Sequence, residues 1–302
     1  MPHRKFIIST SALVSAALLL TACSMQQRRS NPDIVRIATG DLAVISEQAA
    51  LAADTAGKEN VLVIFDIDNT LLAMEQDLGS DQWYDWQKEL QQHDRCDARL
   101  VASRLATAGA LYYASAMRPT QPDAASIVRQ LQNDGFIVFA LTSRGHDFRL
   151  STFRELRRNG ISFRDSAPGP RGGYTGNYMT EAGVRLVRYE DGVLLTAGQH
   201  KGDMLTSLLE KTGHPQPRVL IVADDKPKNL DAYIDYATSN GVSIVAIEYT
   251  GEAETITSFD ALEVVRQWQA VVGALNTLQS EFGPDHYQLP ESDIPAGCPA
   301  PQ

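Results

Sequence analysis

The chain has 302 residues, 43% of them hydrophobic, and a formal charge of −10. That is enough apolar material for a sizeable core in one large domain, or in one domain carrying an insertion. The acidic balance argues against a surface that seeks nucleic acid or anionic lipid.

The first 22 residues have a basic start (His3, Arg4, Lys5) and an apolar run from Phe6 to Leu20, and they lead into Leu20-Thr21-Ala22-Cys23. The run is short and is followed by small residues, which fits a secretory signal rather than a membrane span. The last four residues resemble the bacterial lipobox. That resemblance implies that Cys23 is the lipidated first residue of the mature protein, and Ser24 behind it implies the outer rather than the inner membrane. The plainer alternative is an ordinary signal peptide with an incidental cysteine. Removal of residues 1–22 takes away Arg4 and Lys5 and no acid, which leaves 25 basic against 37 acidic residues and a charge of −12. Cys96 and Cys298 then remain in a compartment that favours disulfides, either bridged to each other or as two unpaired thiols.

Residues 23–33 read as a polar tether. Val35, Ala38, Leu42, Ile45, Ala49 and Ala52 recur at intervals of three and four, which predicts a lead-in helix with one apolar face. Its polar face holds Asp41, Glu47 and Asp54 and no basic stripe, so it is expected to pack on the domain rather than lie on a membrane.

Residues 61–72 read Val-Leu-Val-Ile-Phe-Asp-Ile-Asp-Asn-Thr-Leu-Leu. Five apolar residues ending in acids predict a buried strand of a parallel sheet with Asp66 and Asp68 at its carboxyl end, where ligands of such sheets gather. Alternation puts both acids on one side and turns Ile67 into the core, and Thr70 begins the next loop. Neighbouring carboxylates repel, and the natural remedy is a divalent cation with oxygen ligands, usually Mg2+. Taken alone, the pair also fits a plain metal site or an acidic pocket like that of response regulators.

About 60 residues separate this motif from the next apolar strand, too many for a simple crossover, which predicts an insertion. Within it Trp83, Trp86 and Leu90 stand at helical spacing, Leu100, Arg104 and Leu105 fall in a second helical run, and Arg118-Pro119-Thr120 closes the segment. The aromatics are expected in core packing rather than stacked on a ligand ring. Residues 136–144 predict a second buried strand ending in Thr142, Ser143 and Arg144. A hydroxyl at such a tip can donate to a phosphoryl oxygen, and the arginine can add charge or hold the loop; the plainer reading is a strand-to-helix cap.

A basic helical pattern runs from His146 to Asn159, followed by a loop at Pro168–Gly173. A hairpin is expected across Glu190-Asp191-Gly192. A helix then begins near His200 and Lys201; His200 is expected to be a helix-start surface residue. Val219–Ala223 predicts a third buried strand tipped by Asp224 and Asp225, with Asn229 in the following loop, and Val242–Ile247 predicts a further strand. Residues 258–281 predict a final helix with Leu262, Val265, Trp268, Val272 and Leu275 on one face.

In this order, Asp66-Ile67-Asp68-Asn69-Thr70, Thr142, Lys201 and Asp224-Asp225 resemble the four motifs of the haloacid dehalogenase superfamily, across roughly residues 61–250. With the lipobox, the chain is similar to a poorly characterised branch of that superfamily. The resemblance implies an α/β fold, a three-layer Rossmann-like parallel sheet, in a domain spanning 34–255. A mainly helical cap inserted at about 74–130 selects the substrate, and residues 256–302 form a C-terminal helix and irregular tail. It implies a phosphomonoester hydrolase in which Asp66 is the nucleophile and forms an aspartyl-phosphate, and Asp68 is the general acid and base. Thr142 and Lys201 hold the phosphoryl oxygens, with Ser143 and Arg144 as further substrate-binding residues. Mg2+ is implied on the Asp66 carboxylate, the Asp68 backbone carbonyl and Asp224, with Asp225 acting through water. Asp68 favours a phosphatase, because dehalogenases, phosphonate hydrolases and ion-pumping ATPases generally lack an acid there. The implied partners are a small phosphorylated substrate and, through Cys23, the periplasmic face of the cell envelope. Two alternatives stay open: a phosphotransferase, and a non-catalytic envelope-binding lipoprotein on the same scaffold.

Overall fold

A computed structural model describes residues 32–283 and Cys298. The signal segment, Cys23, nearly all of the tether and the tail after Gly283 other than Cys298 lie outside the described residues. The main sheet is built from β1 (Ile34–Thr39), β2 (Val61–Phe65), β5 (Ile137–Thr142), β6 (Arg188–Glu190), β7 (Val193–Leu195), β8 (Val219–Asp224) and β9 (Ser243–Tyr249), and β3 (Leu72–Met74) pairs with β4 (Met117–Pro119) in a separate ribbon. The helices are α1 (Ala43–Ala56), α2 (Asp81–His93), α3 (Arg104–Ala114), α4 (Ala124–Asn133), α5 (Arg149–Arg158), α6 (Lys201–Thr212), α7 (Pro227–Asn240), α8 (Ala253–Thr257) and α9 (Ala261–Phe282).

The strand order is β1-β9-β8-β2-β5-β7-β6, parallel except for β6. Strand parity makes the three layers. Val61, Val63, Phe65, Val138, Ala140, Ile221 and Ala223 pack under α1, α4 and α5. Leu62, Ile64, Phe139, Leu141, Leu220 and Val222 pack under α6 and α7. Each such buried Val, Leu, Ile or Phe stabilises the fold by about 1.5–3 kcal/mol relative to exposure. The architecture is therefore an α/β Rossmann-like three-layer sheet, as the sequence implied. Asp191 and Gly192 both have positive φ (45° and 74°), the backbone of a tight turn between β6 and β7, in keeping with the Asp-Gly signal.

Three local expectations change. The lead-in helix expected from Val35 begins only at Ala43; Ile34–Thr39 is an edge strand paired with Ile244–Tyr249 of β9. The β-branched segment meets an open sheet edge, and that non-local pairing overrides a helical spacing shared by only a few residues. Within the insertion, α2 and α3 stand between the stem strands β3 and β4, whereas α4 buries Ile127, Val128 and Leu131 against the sheet and belongs to the core layers. The face of α9 is also rotated: Leu262 is exposed, and Val264, Trp268 and Val271 pack with Trp83, Leu78 and Leu111 of the cap. Leu105 lies in α3 as expected and is exposed, while the helix buries Thr107, Ala108, Leu111 and Tyr112.

Trp83 is completely buried and Trp86 tilts against Phe259, so these aromatics are packing residues. Cys96 and Cys298 are joined, with Cα atoms 5.3 Å apart. The bridge ties the cap to the tail beyond α9.

Candidate active site

β2 ends at Phe65, between β8 and β5, where the chain's crossovers go to opposite faces of the sheet. This is the crevice in which ligands of open α/β sheets bind. Asp66 continues the parity of Leu62 and Ile64 and so faces α6, and its N–H donates to Ala223 O at 2.9 Å, which carries the ladder one residue past the strand. Lys201, the first residue of α6, meets it there. The Lys201 Nζ donates to Asp66 Oδ1 at 2.8 Å, Asp224 Oδ2 at 2.5 Å and Leu141 O at 3.2 Å. All three side chains are buried.

Burial pushes the Asp66 carboxyl up to about 7, opposed by Lys201 and reinforced by the charges of Asp224 and Asp68. Burial alone would favour a neutral Lys201, but Asp224 and Asp66 outweigh it and hold the ammonium well above its ordinary value. The cluster is therefore an excess of acid around one buried cation, an arrangement that a further positive charge would relieve.

The two adjacent acids at the β8 tip have different surroundings. Asp224 Oδ1 accepts from the Lys226 N–H at 3.0 Å and from Asn229 Nδ2 at 2.9 Å, and its Oδ2 takes Lys201. Asp225 has a buried Oδ1 with no partner among the described residues, and only a long 3.4 Å contact from Asn69 to Oδ2. Burial, with Asp66, Asp224 and Asp81 nearby, raises Asp225 well above the usual carboxylate range. Oxygens of Asp66, Asp224 and Asp225 lie within 4.8 Å of one another, close enough to share an ion. A buried carboxylate oxygen with nothing to accept from is the donor a hard cation requires, so the residues present fit Mg2+. The orphaned oxygen is on Asp225; Asp224, the acid favoured from sequence, lies within reach of the same position and also holds Lys201.

Thr142 is buried and its hydroxyl accepts from the Arg144 N–H at 3.2 Å, which leaves the hydroxyl proton to donate. Ser143 is exposed. Arg144 does not fit the substrate-binding role expected of it, because its guanidinium is committed within the protein. Its Nε donates to Asp68 Oδ2 at 2.8 Å, its Nη2 to Asp68 Oδ1 at 2.7 Å and its Nη1 to Thr152 Oγ1 at 2.9 Å. His200 caps α6, its Nδ1 accepting from the Asp203 N–H at 3.3 Å.

The cap reaches the same crevice through α2. Lys226, in the loop after Asp225, bridges Asp81 at 2.5 Å and Asp85 at 2.7 Å, and Gln82 Nε2 comes within 3.5 Å of Asn69 Oδ1.

Residues 42–281 match the family described as "Protein of unknown function (DUF2608)". The chain belongs to that family. No curated protein matches the sequence. Among solved structures, one similar chain is a phospho-aspartyl intermediate analogue of phosphoserine phosphatase, at 16% identity and a TM-score of 0.32, over 62% of this chain and 92% of that one. Another is cytosolic 5'-nucleotidase IIIB bound to cytidine, at 13% identity and a TM-score of 0.33, over 78% of this chain and 91% of that one.

Sequence reasoning missed four residues around this site: Tyr112, whose ring lies 4.2 Å from Arg144 Cζ, Thr152 beside the same guanidinium, and Asp81 and Asp85 around Lys226. Asp81 and Asp85 stand one helical turn apart on α2, a spacing that marks a shared face. Nothing local marks Thr152 or Tyr112.

Proposed function

We propose that the protein is a magnesium-dependent phosphomonoester hydrolase acting through an aspartyl-phosphate. The observation that carries this reading is the buried group of Asp66, Lys201 and Asp224 at the tip of β2, with Asp68, the unpartnered Asp225 oxygen and the Thr142 hydroxyl around it.

In the first half-reaction the Asp66 carboxylate attacks phosphorus in line. A phosphorus–oxygen bond to Asp66 forms as the bond to the leaving oxygen breaks, and Asp68 gives that oxygen a proton. In the second, Asp68 takes a proton from water, whose oxygen displaces Asp66 from phosphorus and releases inorganic phosphate. Lys201 and the Thr142 hydroxyl hold the phosphoryl oxygens, and their placement in a water-poor crevice strengthens both interactions. Mg2+, when bound, neutralises charge between the carboxylate and the phosphoryl group. Asp66, the Asp68 backbone carbonyl and Asp225 would hold it in this chain, while Asp224 fixes Lys201. The cap's α2 and α3 close over the leaving group.

We further infer that Cys23 carries the lipid anchor and that the enzyme works at the periplasmic face of the envelope, more specifically at the outer membrane. Radiolabelled palmitate incorporated into the wild type and absent from Cys23→Ser would support the anchor; equal labelling would refute it. Activity is tested by phosphate release from a panel of phosphomonoesters by protein lacking residues 1–23, with and without Mg2+, beside Asp66→Asn. The expected result is release that requires both the metal and Asp66, from a variant that still unfolds in one cooperative transition. Full activity in Asp66→Asn refutes the nucleophile.

A further inference from the structure

We propose that Arg144 is a positioning residue for Asp68, and that the cap holds it in place through the ring of Tyr112, so that seating of the cap aims the group that protonates the leaving oxygen. The inference rests on the phosphatase reading above and adds to it a specific dependence on the leaving group.

The geometry separates the two partners. The Arg144 side chain is 4% exposed and that of Asp68 23% exposed. A molecule entering the crevice therefore meets the carboxylate and not the guanidinium behind it. Arg144 contacts both carboxylate oxygens at once, at 2.7 and 2.8 Å, and two parallel bonds to a planar fork fix the plane of the carboxylate as one bond cannot. A carboxylate offers about four lone-pair positions. The fork takes one on each oxygen, which leaves one on each for a proton and a substrate.

The guanidinium is itself held from three elements. Thr152 of α5 accepts from Nη1 at 2.9 Å and passes its own proton to Phe148 O at 2.7 Å. The Met117 sulfur, in the stem strand β4, lies 3.4 Å from Nη2. The ring of Tyr112, on cap helix α3, lies 4.2 Å from Cζ and supplies its π face. Tyr112 is fixed in turn by its hydroxyl against Met117 Sδ and by edge contact with Phe148 at 5.7 Å. A chain of direct contacts thus runs from cap helix to guanidinium to the candidate acid, over a sequence separation of 76 residues between Asp68 and Arg144.

The test uses substituted phenyl phosphates, from p-nitrophenyl phosphate, whose leaving group departs without a proton, to p-methoxyphenyl phosphate, whose leaving group benefits from one. The plot of log kcat/KM, which covers the steps through departure of the leaving group, against leaving-group pKa is compared for the wild type, Arg144→Lys, Tyr112→Leu and Tyr112→Phe. The expected wild-type plot is shallow. Arg144→Lys keeps a cation but loses the fork, and Tyr112→Leu keeps apolar bulk but loses the ring face. Both should lower kcat/KM on p-methoxyphenyl phosphate by about tenfold or more, within the range general acid catalysis commands, and on p-nitrophenyl phosphate by less than about threefold. Tyr112→Phe, which retains the ring, should restore the shallow plot.

An equal fall across the series would make Arg144 merely structural and overturn the inference, as would an unchanged slope in both variants. If Arg144→Lys does not fold, Tyr112→Leu decides by the same plot. Failure of the phosphatase reading looks different: the wild type then releases no phosphate that depends on Asp66.

Discussion

Asp224→Asn and Asp225→Asn alter neighbouring residues by the same isosteric change, and the structure assigns them opposite consequences. Asp225 Oδ1 is buried without a partner among the described residues, a condition that costs about 1–3 kcal/mol for a polar group and more for a charged one. An amide removes the cost of burying an ionisable carboxyl there and should raise metal-free stability, and at about 2–4 °C per kcal/mol for a domain of this size the melting temperature should climb by a few degrees. Asp224 is the reverse case, since its Oδ2 is one of the two carboxylate oxygens on buried Lys201. Breaking a buried ion pair from one side costs about 3–5 kcal/mol. Asp66 stays on Lys201, and an amide oxygen can still accept from the Lys226 N–H and Asn229, so the loss should fall at the lower end, roughly 6–12 °C. Calorimetric melts with and without Mg2+ separate the roles. A ligand at a hundred times its Kd adds about 2.7 kcal/mol, which in the wild type is roughly a 5–11 °C rise. Asp225→Asn should lose that rise, whereas Asp224→Asn should keep it on a lowered baseline. A full Mg2+ shift in Asp225→Asn, or a metal-free melt of Asp224→Asn equal to the wild type, would refute the division of labour.

Asp66 also predicts a pH dependence. Burial raises it from 3.8 to about 7, so between those values the metal-free folded protein keeps a proton that the unfolded chain has lost. Stability from this group is therefore complete below about pH 4 and falls as pH rises through 7. Mg2+ takes the ionised form, so its thermal shift should grow over the same window; a shift that is flat in pH would contradict this. In the cap, Trp83→Ala should cost about 3–5 kcal/mol, because a wholly buried ring between Leu78, Leu111 and Val264 leaves a cavity. A variant that melts within one degree of the wild type would show that the cap core collapses to fill it.

Much of this protein is local enough to be read without coordinates. Val61–Phe65 and Val219–Ala223 are continuous apolar runs because both of their faces are covered, and Asp66, Asp224 and Asp225 follow those runs directly, so acids at neighbouring strand tips are a property of the sequence. The Asp191-Gly192 turn is equally local, since only residues that tolerate positive φ close it. What the sequence left open depends on distance along the chain. Whether Ile34–Thr39 becomes strand or helix turns on the edge of β9, some 210 residues away. The face that α9 buries is set by Trp83 and Leu111 of the cap, not by its own periodicity, so Leu262 points outward. Nor do the letters distinguish Asp224 from Asp225: Lys201, Lys226 and Asn229 occupy both oxygens of the first, while Oδ1 of the second has no partner among the described residues, and only folding brings those donors to one side. The same holds for Arg144, which looks like a phosphate ligand until Asp68, Thr152 and Tyr112, from three separate elements, converge on its guanidinium. Backbone propensity and strand parity are written residue by residue, whereas the allocation of a limited set of buried donors among competing acceptors is decided only when the whole chain has packed.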